Sequence, residues 1–271
     1  MDIIERLPQW REGYKDWAGG YGRDLVRGDV SDDYPYVVNR HAAIVPLRRA
    51  LPLLHLALIT SAGAYIDGTE GFDTTSSQGD VTFREIPTEI DEEDLVYAAR
   101  GYDPAAVESD WNAQIPLDRL AEFAGNGIIG GVAPVMWSFQ GFIPEAARWA
   151  EDGVPRIVER VKRYGVQAAL IVPASGLCHQ SCALLARAIE TAGIPTLMLA
   201  VERNILDGVR PPRACYYDGQ FGSVAGMAKF PEHQRRILDE SLRSMEPMDQ
   251  PTIRKLAVKI ETEVEQSRGE R

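Results

Sequence analysis

The stretch Ala168-Ala169-Leu170-Ile171-Val172-Pro173-Ala174-Ser175-Gly176-Leu177-Cys178-His179-Gln180-Ser181-Cys182 decides the fold class. Its first five residues are an unbroken apolar run, the pattern of a strand buried on both faces of a parallel sheet. Pro173 ends the run, and a short turn leads to a helix from about His179 to Ala192, closed by Gly193. The same alternation continues outward in both directions. Upstream, Leu54–Thr60 reads as a strand, Pro116–Ala124 as a helix and Ile128–Ala133 as a buried strand. Glu145–Tyr164 reads as a long amphipathic helix with Ile157, Val158, Val161 and Tyr164 inward. Downstream come the strand Ile194–Ala200, a short helix near Asn204 and a strand around Ala214–Tyr217. Helices over Glu232–Met245 and Thr252–Gln266 finish the chain. Strands alternating with helices over short connections predict an α/β fold with a doubly wound, mostly parallel sheet. The segments Ala57–Gly63 and Ala169–Gly176 resemble each other as strand-to-loop units. They predict two similar halves, about 46–150 and 151–271, within one α/β domain over 46–271. A ligand crevice then falls between the halves, at the carboxyl ends of their strands.

Residues 1–45 are expected to form an N-terminal helical extension. Leu7, Trp10, Tyr14 and Trp17 share one helix face, and Gly19, Gly20 and Gly22 are expected to end that helix. Its aromatic stripe predicts packing on the main domain or on a second copy, which would make a homodimer. From Tyr65 to Asn112 the chain is turn-rich and polar, and so long an irregular segment in a compact domain usually serves function.

The 271 residues suffice for a large core without a metal or disulfide staple. With 40 acidic against 29 basic side chains the formal net charge is −11. Such a surface repels phosphate backbones and anionic lipid, so neither nucleic acid nor a membrane surface is an expected partner. No apolar run approaches the roughly 18 residues of a membrane-spanning helix. The opening MDIIERLPQWREGYKDW is charged from its second residue, which predicts no signal peptide. Cys178, Cys182 and Cys215 are too few and too oddly placed for a secreted disulfide framework, so the expected compartment is the cytoplasm, with reduced thiols.

The turn before the helix carries the chemistry. A thiol in a helix's first turn faces unpaired backbone N–H groups and the positive end of the dipole, which favour the nucleophilic thiolate. On this reading Cys178 is reactive, with His179 adding charge or relaying a proton. The competing reading makes Cys178 a small residue closing the turn and His179 a helix cap. Cys182, one turn on, is expected in the core, its Cβ about 5–6 Å from that of Cys178 and too far for a disulfide. Cys215 is expected to be an inert strand thiol. Ser175 lacks the flanking glycines of a nucleophile elbow. Cys178, His179 and Cys182 offer an unusual C-x3-C zinc spacing without an evident fourth ligand. There is no dinucleotide fingerprint or P-loop, and His41, His55 and His233 are isolated.

These residues resemble a known family. Leu58–Gly63, Gly79–Pro87, Gly101–Asp103, Pro116–Leu120, Gly130–Pro134, Ser138–Gly141 and Pro173–Ser181 are similar to blocks of the selenoprotein B subunits of glycine, sarcosine, betaine and D-proline reductases. Their shorter single-chain bacterial relatives are the better match, and the resemblance runs from about Arg48 to Met245. It implies a reductase whose strand-to-helix turn holds selenocysteine or cysteine, with a second cysteine three positions later. The first is the family's nucleophile: it displaces a leaving group from carbon, and the resulting selenoether is cleaved reductively. Carried onto this chain, the second position is Cys178 and the first is Ser175, a departure that removes the selenolate. No cofactor is implied for this chain itself, because the amine-cleaving members take their pyruvoyl group from a separate processed subunit. The implied partners are a small-molecule substrate and a thiol reductant or redox protein.

Asp80, Arg84, Glu85, Tyr102 and Asp103 lie in matched blocks and are candidate pocket residues, with loop salt bridges as the competing role. Strand 54–60 is expected to deliver Ser61 and Gly63 to the same edge as Ser175 and Cys178. The loop after Tyr65 is expected to fold over that opening and bring Arg84 and Glu85 toward Cys178, favouring an anionic substrate. The leading expectation is an enzyme that cleaves a carbon–heteroatom bond through Cys178. The alternatives are a metal-assisted hydrolase or lyase using Cys178 and His179, and a non-catalytic small-molecule-binding relative.

Overall fold

Short strands that are apolar on both faces can be stable only if helices cover both sides of their sheet. The computed structural model of the chain describes residues 2–21 and 30–258. Its strands are β1 (His55–Thr60), β2 (Ala64–Ile66), β3 (Phe83–Pro87), β4 (Leu95–Tyr97), β5 (Gly131–Val132), β6 (Val135–Phe139), β7 (Ala168–Val172), β8 (Thr196–Ala200), β9 (Arg213–Tyr216) and β10 (Thr252–Lys255). The helices are α1 (Leu7–Tyr21), α2 (Ala105–Ser109), α3 (Leu117–Gly125), α4 (Ala146–Arg148), α5 (Val154–Arg163), α6 (Gly176–Thr191), α7 (Arg203–Val209) and α8 (Pro231–Ser244).

The central sheet runs β10-β9-β8-β7-β1-β6-β3, with β5 also against β1. Its pairs are parallel except for β3, which runs antiparallel to β6. Strand alternation sorts the core into two layers. Ala57, Ile59, Ala169, Ile171 and Met198 face α5, α6 and α7 through Ile157, Leu185 and Leu206. Leu56, Leu58, Leu170, Val172 and Leu197 face α3 and α8 through Leu120, Phe123 and Leu238. The fold is therefore α/β with a mostly parallel sheet covered on both faces, as the sequence predicts.

The chain leaves β7 outward through β8, β9 and β10, whereas after β1 its next parallel strands, β5 and β6, lie on the opposite side. β1 and β7 are neighbours in register from Leu56↔Ala168 to Thr60↔Val172. Their connections therefore diverge, the place where open α/β sheets generally put a ligand crevice.

Several elements differ from expectation. Helix α6 begins at Gly176 rather than near His179, because Ser175 caps it. The apolar run 128–133 gives only the two residues of β5, since Gly130 runs tightly along Leu53 and Leu54; the longer strand is β6 just after it. The segment 146–163 is helical but carries a π-helical turn at Trp149–Gly153. Thr252–Lys255 is a strand, not a helix, because its β-branched start pairs with the open edge of β9. The rest of that expected helix, from 259 on, lies outside the described residues, as does Gly22.

Helix α1 runs through Gly19 and Gly20 to Tyr21. Trp10 stacks on Tyr14 at 5.0 Å and joins the main core, and Trp17 meets Tyr34 edge-on at 4.9 Å. The aromatic stripe thus packs on the chain's own residues, the first of the two arrangements expected for it. Among the described residues, no helix is long and apolar enough to cross a membrane.

Candidate functional site

Ser175 is extended (φ −133°, ψ 178°) and its Oγ accepts the Cys178 N–H at 3.2 Å, an N-cap reaching the third helical residue. That geometry draws the two side chains together: the Ser175 hydroxyl donates to Cys178 Sγ at 2.9 Å. Both residues are buried. From the neighbouring strand, Ser61 Oγ accepts the Ala174 N–H at 3.0 Å, and the Ser61 carbonyl lies 3.8 Å from Cys178 Sγ. The segment after β6 closes the third side. A Cβ on Gly141 would fall 2.8 Å from Cys178 Sγ and 2.5 Å from Ser61 Cβ, so only glycine permits this approach. Adjacent parallel strands thus deliver Ser61, Ser175 and Cys178 to one point.

His179 is tied to the backbone at both nitrogens. Its Nδ1 lies 2.6 Å from the Ser175 carbonyl, and Nε2 accepts the Val201 N–H at 3.1 Å. Nε2 as acceptor fixes Nδ1–H as donor, hence a neutral ring. Burial agrees, pushing the imidazole down to about 4 against the opposing pull of the Ser175 carbonyl. His179 therefore holds the Ser175 carbonyl rather than a proton at the thiol. The other thiols are core groups, as expected. Burial pushes Cys182 well above the ordinary thiol range and Cys215 up to about 11.

Tyr102 joins the site. Its hydroxyl donates to the Ala62 carbonyl at 2.6 Å, and with Tyr97 it packs on a cluster of Ala62, Ala174 and Cys178. Burial raises both phenols, so they stay protonated. Gly63 turns the chain at φ +69°, where a Cβ would also lie 2.8 Å from the Ala98 carbonyl. Residues that sequence reasoning missed complete the surroundings. Gln114 Nε2 donates to the Pro173 carbonyl at 2.8 Å while its Oε1 accepts the Val224 N–H, locking the turn before Ser175. Phe221 and the Tyr36 hydroxyl lie beside Gly176. None of Gln114, Phe221 and Tyr36 lies in the family-like blocks of the sequence.

Arg84 and Glu85 are not brought to Cys178, contrary to expectation. Phe83–Pro87 pairs as an edge strand, and β6 and β1 separate it from β7. Arg84 donates to the Gly71 carbonyl at 2.7 Å and lies 4.4 Å over Phe72. Glu85 pairs with Arg160 and accepts from Trp137 Nε1 at 2.9 Å. Asp103 is exposed and accepts the Ala105 N–H at the start of α2. Asp80 accepts from Thr82 within its own loop. Among the described residues no group of three His, Cys, Asp or Glu side chains is placed to hold a metal ion, so the metal-assisted alternative finds no donor set.

The chain is 32% identical over 200 residues to the D-proline reductase subunit gamma of Acetoanaerobium sticklandii, a match covering 74% of this chain and 81% of that one. It is 27% identical over 181 residues to the glycine reductase complex component B subunit gamma of Symbiobacterium thermophilum, covering 65% of this chain and 41% of the relative. It is 26% identical over 176 residues to the sarcosine reductase complex component B subunit beta of Peptoclostridium acidaminophilum, covering 62% and 39%. It thus spans most of the first relative and less than half the length of the other two. No family model and no solved structure matches.

Proposed function

The chain belongs to the family of the D-proline reductase gamma subunit and the glycine, sarcosine and betaine reductase component B subunits, and from that premise we propose a reductase-like subunit that cleaves a carbon–heteroatom bond through Cys178. The observation that carries this reading is the 2.9 Å contact between Ser175 Oγ and Cys178 Sγ at the start of α6. A small substrate enters at the carboxyl ends of β1 and β7. The Cys178 sulfur attacks the carbon bearing the heteroatom; the S–C bond forms and the leaving group departs with the bonding pair. A dithiol reductant, small or protein-borne, then attacks the thioether sulfur. The carbon leaves with the S–C electron pair and takes a proton, and the reductant's second thiol frees Cys178 as the reductant becomes a disulfide. Ser175 cannot serve as the second redox atom. Its part is to hold the Cys178 N–H and donate to the sulfur. A reduced, cytoplasmic setting suits this cycle.

Peptide mapping after incubation with a panel of carbon electrophiles bearing nitrogen, sulfur or halogen leaving groups tests the reading. An adduct on Cys178, lost in Cys178→Ala, is expected; adducts only elsewhere overturn it. The serine at position 175 favours one second reading, a relative that binds the small molecule without turning it over. Reversible binding with no adduct would select that reading.

A further inference from the structure

The Cys178 thiol is sealed. Cys178, Ala62 and Ala174 are fully buried, and Ser61, Gly141 and Ser175 around them are buried as well. A carbon electrophile therefore reaches the sulfur only if part of this enclosure moves. Most of it is held by backbone bonds. The Ser61 N–H donates to the Val172 carbonyl, the Ser61 carbonyl accepts the Gly141 N–H, and Ser175 is fixed by the cap of α6. Tyr97 and Tyr102 pack against the same cluster and are only partly buried. Tyr97 stands in β4, paired with Ala64. Tyr102 belongs to no helix or strand. It follows Gly101, whose φ is +77°, and its hydroxyl donates to the Ala62 carbonyl at 2.6 Å. The closed arrangement also leaves Ser138 Oγ, Gln140 Oε1 and the Tyr97 hydroxyl buried without a protein partner. They flank residues 60–64, Ser138 opposite Thr60, Gln140 opposite Ala62 and Tyr97 opposite Ala64. Unpaired buried polar groups cost stability, so an opening that admits water to them offsets part of its own cost.

We infer that Tyr102 is a gate over Cys178, latched by its hydroxyl on the Ala62 carbonyl and hinged at Gly101, and that its opening controls the access of small molecules to the thiol. The inference rests on the reading of Cys178 as the reactive group. The opening is local: the sheet and α6 stay folded while one ring and its short segment swing away. Glycine suits the hinge, because it crosses between positive and negative φ without the penalty a Cβ imposes.

Alkylation by iodoacetamide tests the gate. Sulfur bonds to the CH2 carbon, iodide leaves with the bonding pair and the thiol proton goes to solvent. All three cysteines are buried, so each labels only through an opening, and Cys182 and Cys215 report global unfolding in the same digest. In the full chain at pH 7, peptide mapping over a range of low urea concentrations should show Cys178 labelling ahead of both. Its rate should barely change with urea, because a local opening exposes little surface. Tyr102→Phe removes one oxygen and with it the latch. It should speed Cys178 labelling by about three- to tenfold, the worth of one hydrogen bond, while Cys215 stays slow. Gly101→Ala strains the closed backbone and should act in the same direction. Labelling of Cys178 with the rate and urea dependence of Cys215 would show that only unfolding exposes it, which overturns the gate. A Tyr102→Phe rate equal to the parent's also overturns it, and leaves the reactive thiol standing if Cys178 still labels first. Fast labelling in Tyr102→Phe with no adduct from the electrophile panel supports the gate and removes the functional reading.

Discussion

Helix α6 carries buried polar groups at both ends, and the two ends are finished differently. Toward its C-terminus, Arg187 donates to the carbonyls of Ile3 and Arg210, at 3.0 and 2.9 Å. Glu190 accepts the N–H groups of Val45 and Thr196, and Arg213 reaches it from β9 at 2.6 Å with both partners fully buried. Arg213 spends its other nitrogens on the Met248 and Val45 carbonyls. Those groups are matched among themselves, and what they do is tie the N-terminal segment and the sheet to α6. At the N-terminus of α6 the capping serine, the thiol and the histidine are matched too, but the wall beside them holds unpartnered oxygens. A fully satisfied polar network rigidifies the fold, whereas an unpartnered buried oxygen costs stability.

The largest expected effect breaks the anchor. Arg213→Met strands the Glu190 carboxylate, whose burial already pushes its pKa up against the pull of Arg213. The loss should be about 3–5 kcal/mol, because an uncompensated buried charge costs far more than the pair contributes. Replacing both partners by apolar residues of similar volume should recover much of it. Denaturant unfolding measures both variants, and a loss below about 1 kcal/mol for Arg213→Met would mean that this network does not anchor the fold.

The next effect is titratable and belongs to the site end. The folded-state pKa of His179 is depressed from the ordinary 6.5 to about 4. The unfolded chain therefore binds its proton first. The stability contribution is complete above pH 6.5, erodes as pH falls and is gone near pH 4, about 3 kcal/mol in all. The mechanism is local, since a proton on Nε2 would face the Val201 N–H. In His179→Gln the slope of stability against pH between 6.5 and 4 should flatten. A slope unchanged by the substitution would show that another group carries the acid sensitivity.

A smaller effect tests the turn itself. Ser175→Cys places a second sulfur where the hydroxyl now touches Cys178, and mild oxidation should close a disulfide and remove both thiols of the pair. So short a loop should add only about 2 kcal/mol of stability by chain entropy. An unchanged thiol count would mean that the two side chains do not meet as drawn.

How far the sequence disclosed these two ends follows from the range of the interactions. Strand β7 and its turn were legible because five consecutive apolar residues followed by Pro173 admit few alternatives. Ser61 lies beside Ser175 and Cys178, as expected from the way β1 repeats the pattern of β7 beside it. The start of α6 was misplaced because Ser175-Gly176-Leu177 looks like loop, and the capping bond that makes it helix involves a cysteine N–H rather than the Glu of a capping box. Strand β6 was missed because Ile128-Ile129 is the more apolar run. Tyr97 and Gln140 were illegible as a pair: each flanks residues 60–64 only through strand pairing across tens of residues.

Arg84 is the residue for which sequence and structure part most plainly, and it makes the smallest expected effect. A lone arginine in a polar segment invites a role in anion binding, yet Phe83-Arg84-Glu85-Ile86-Pro87 pairs as an edge strand, with Ile86 buried and Arg84 half-buried. Its guanidinium donates to the Glu70 and Gly71 carbonyls and to Thr82, and covers Phe72. That role is to hold a loop onto β3. Arg84→Ala removes partly solvated hydrogen bonds and one cation–π contact, so the cost should be about 1 kcal/mol or less. Alkylation of Cys178 should proceed at the parent rate, because β1 and β6 stand between Arg84 and β7. The paired measurement is a melting curve and the iodoacetamide rate at Cys178. A several-fold slowing of alkylation without a change in melting would return Arg84 to the site, and would show that the loop it holds reaches the thiol.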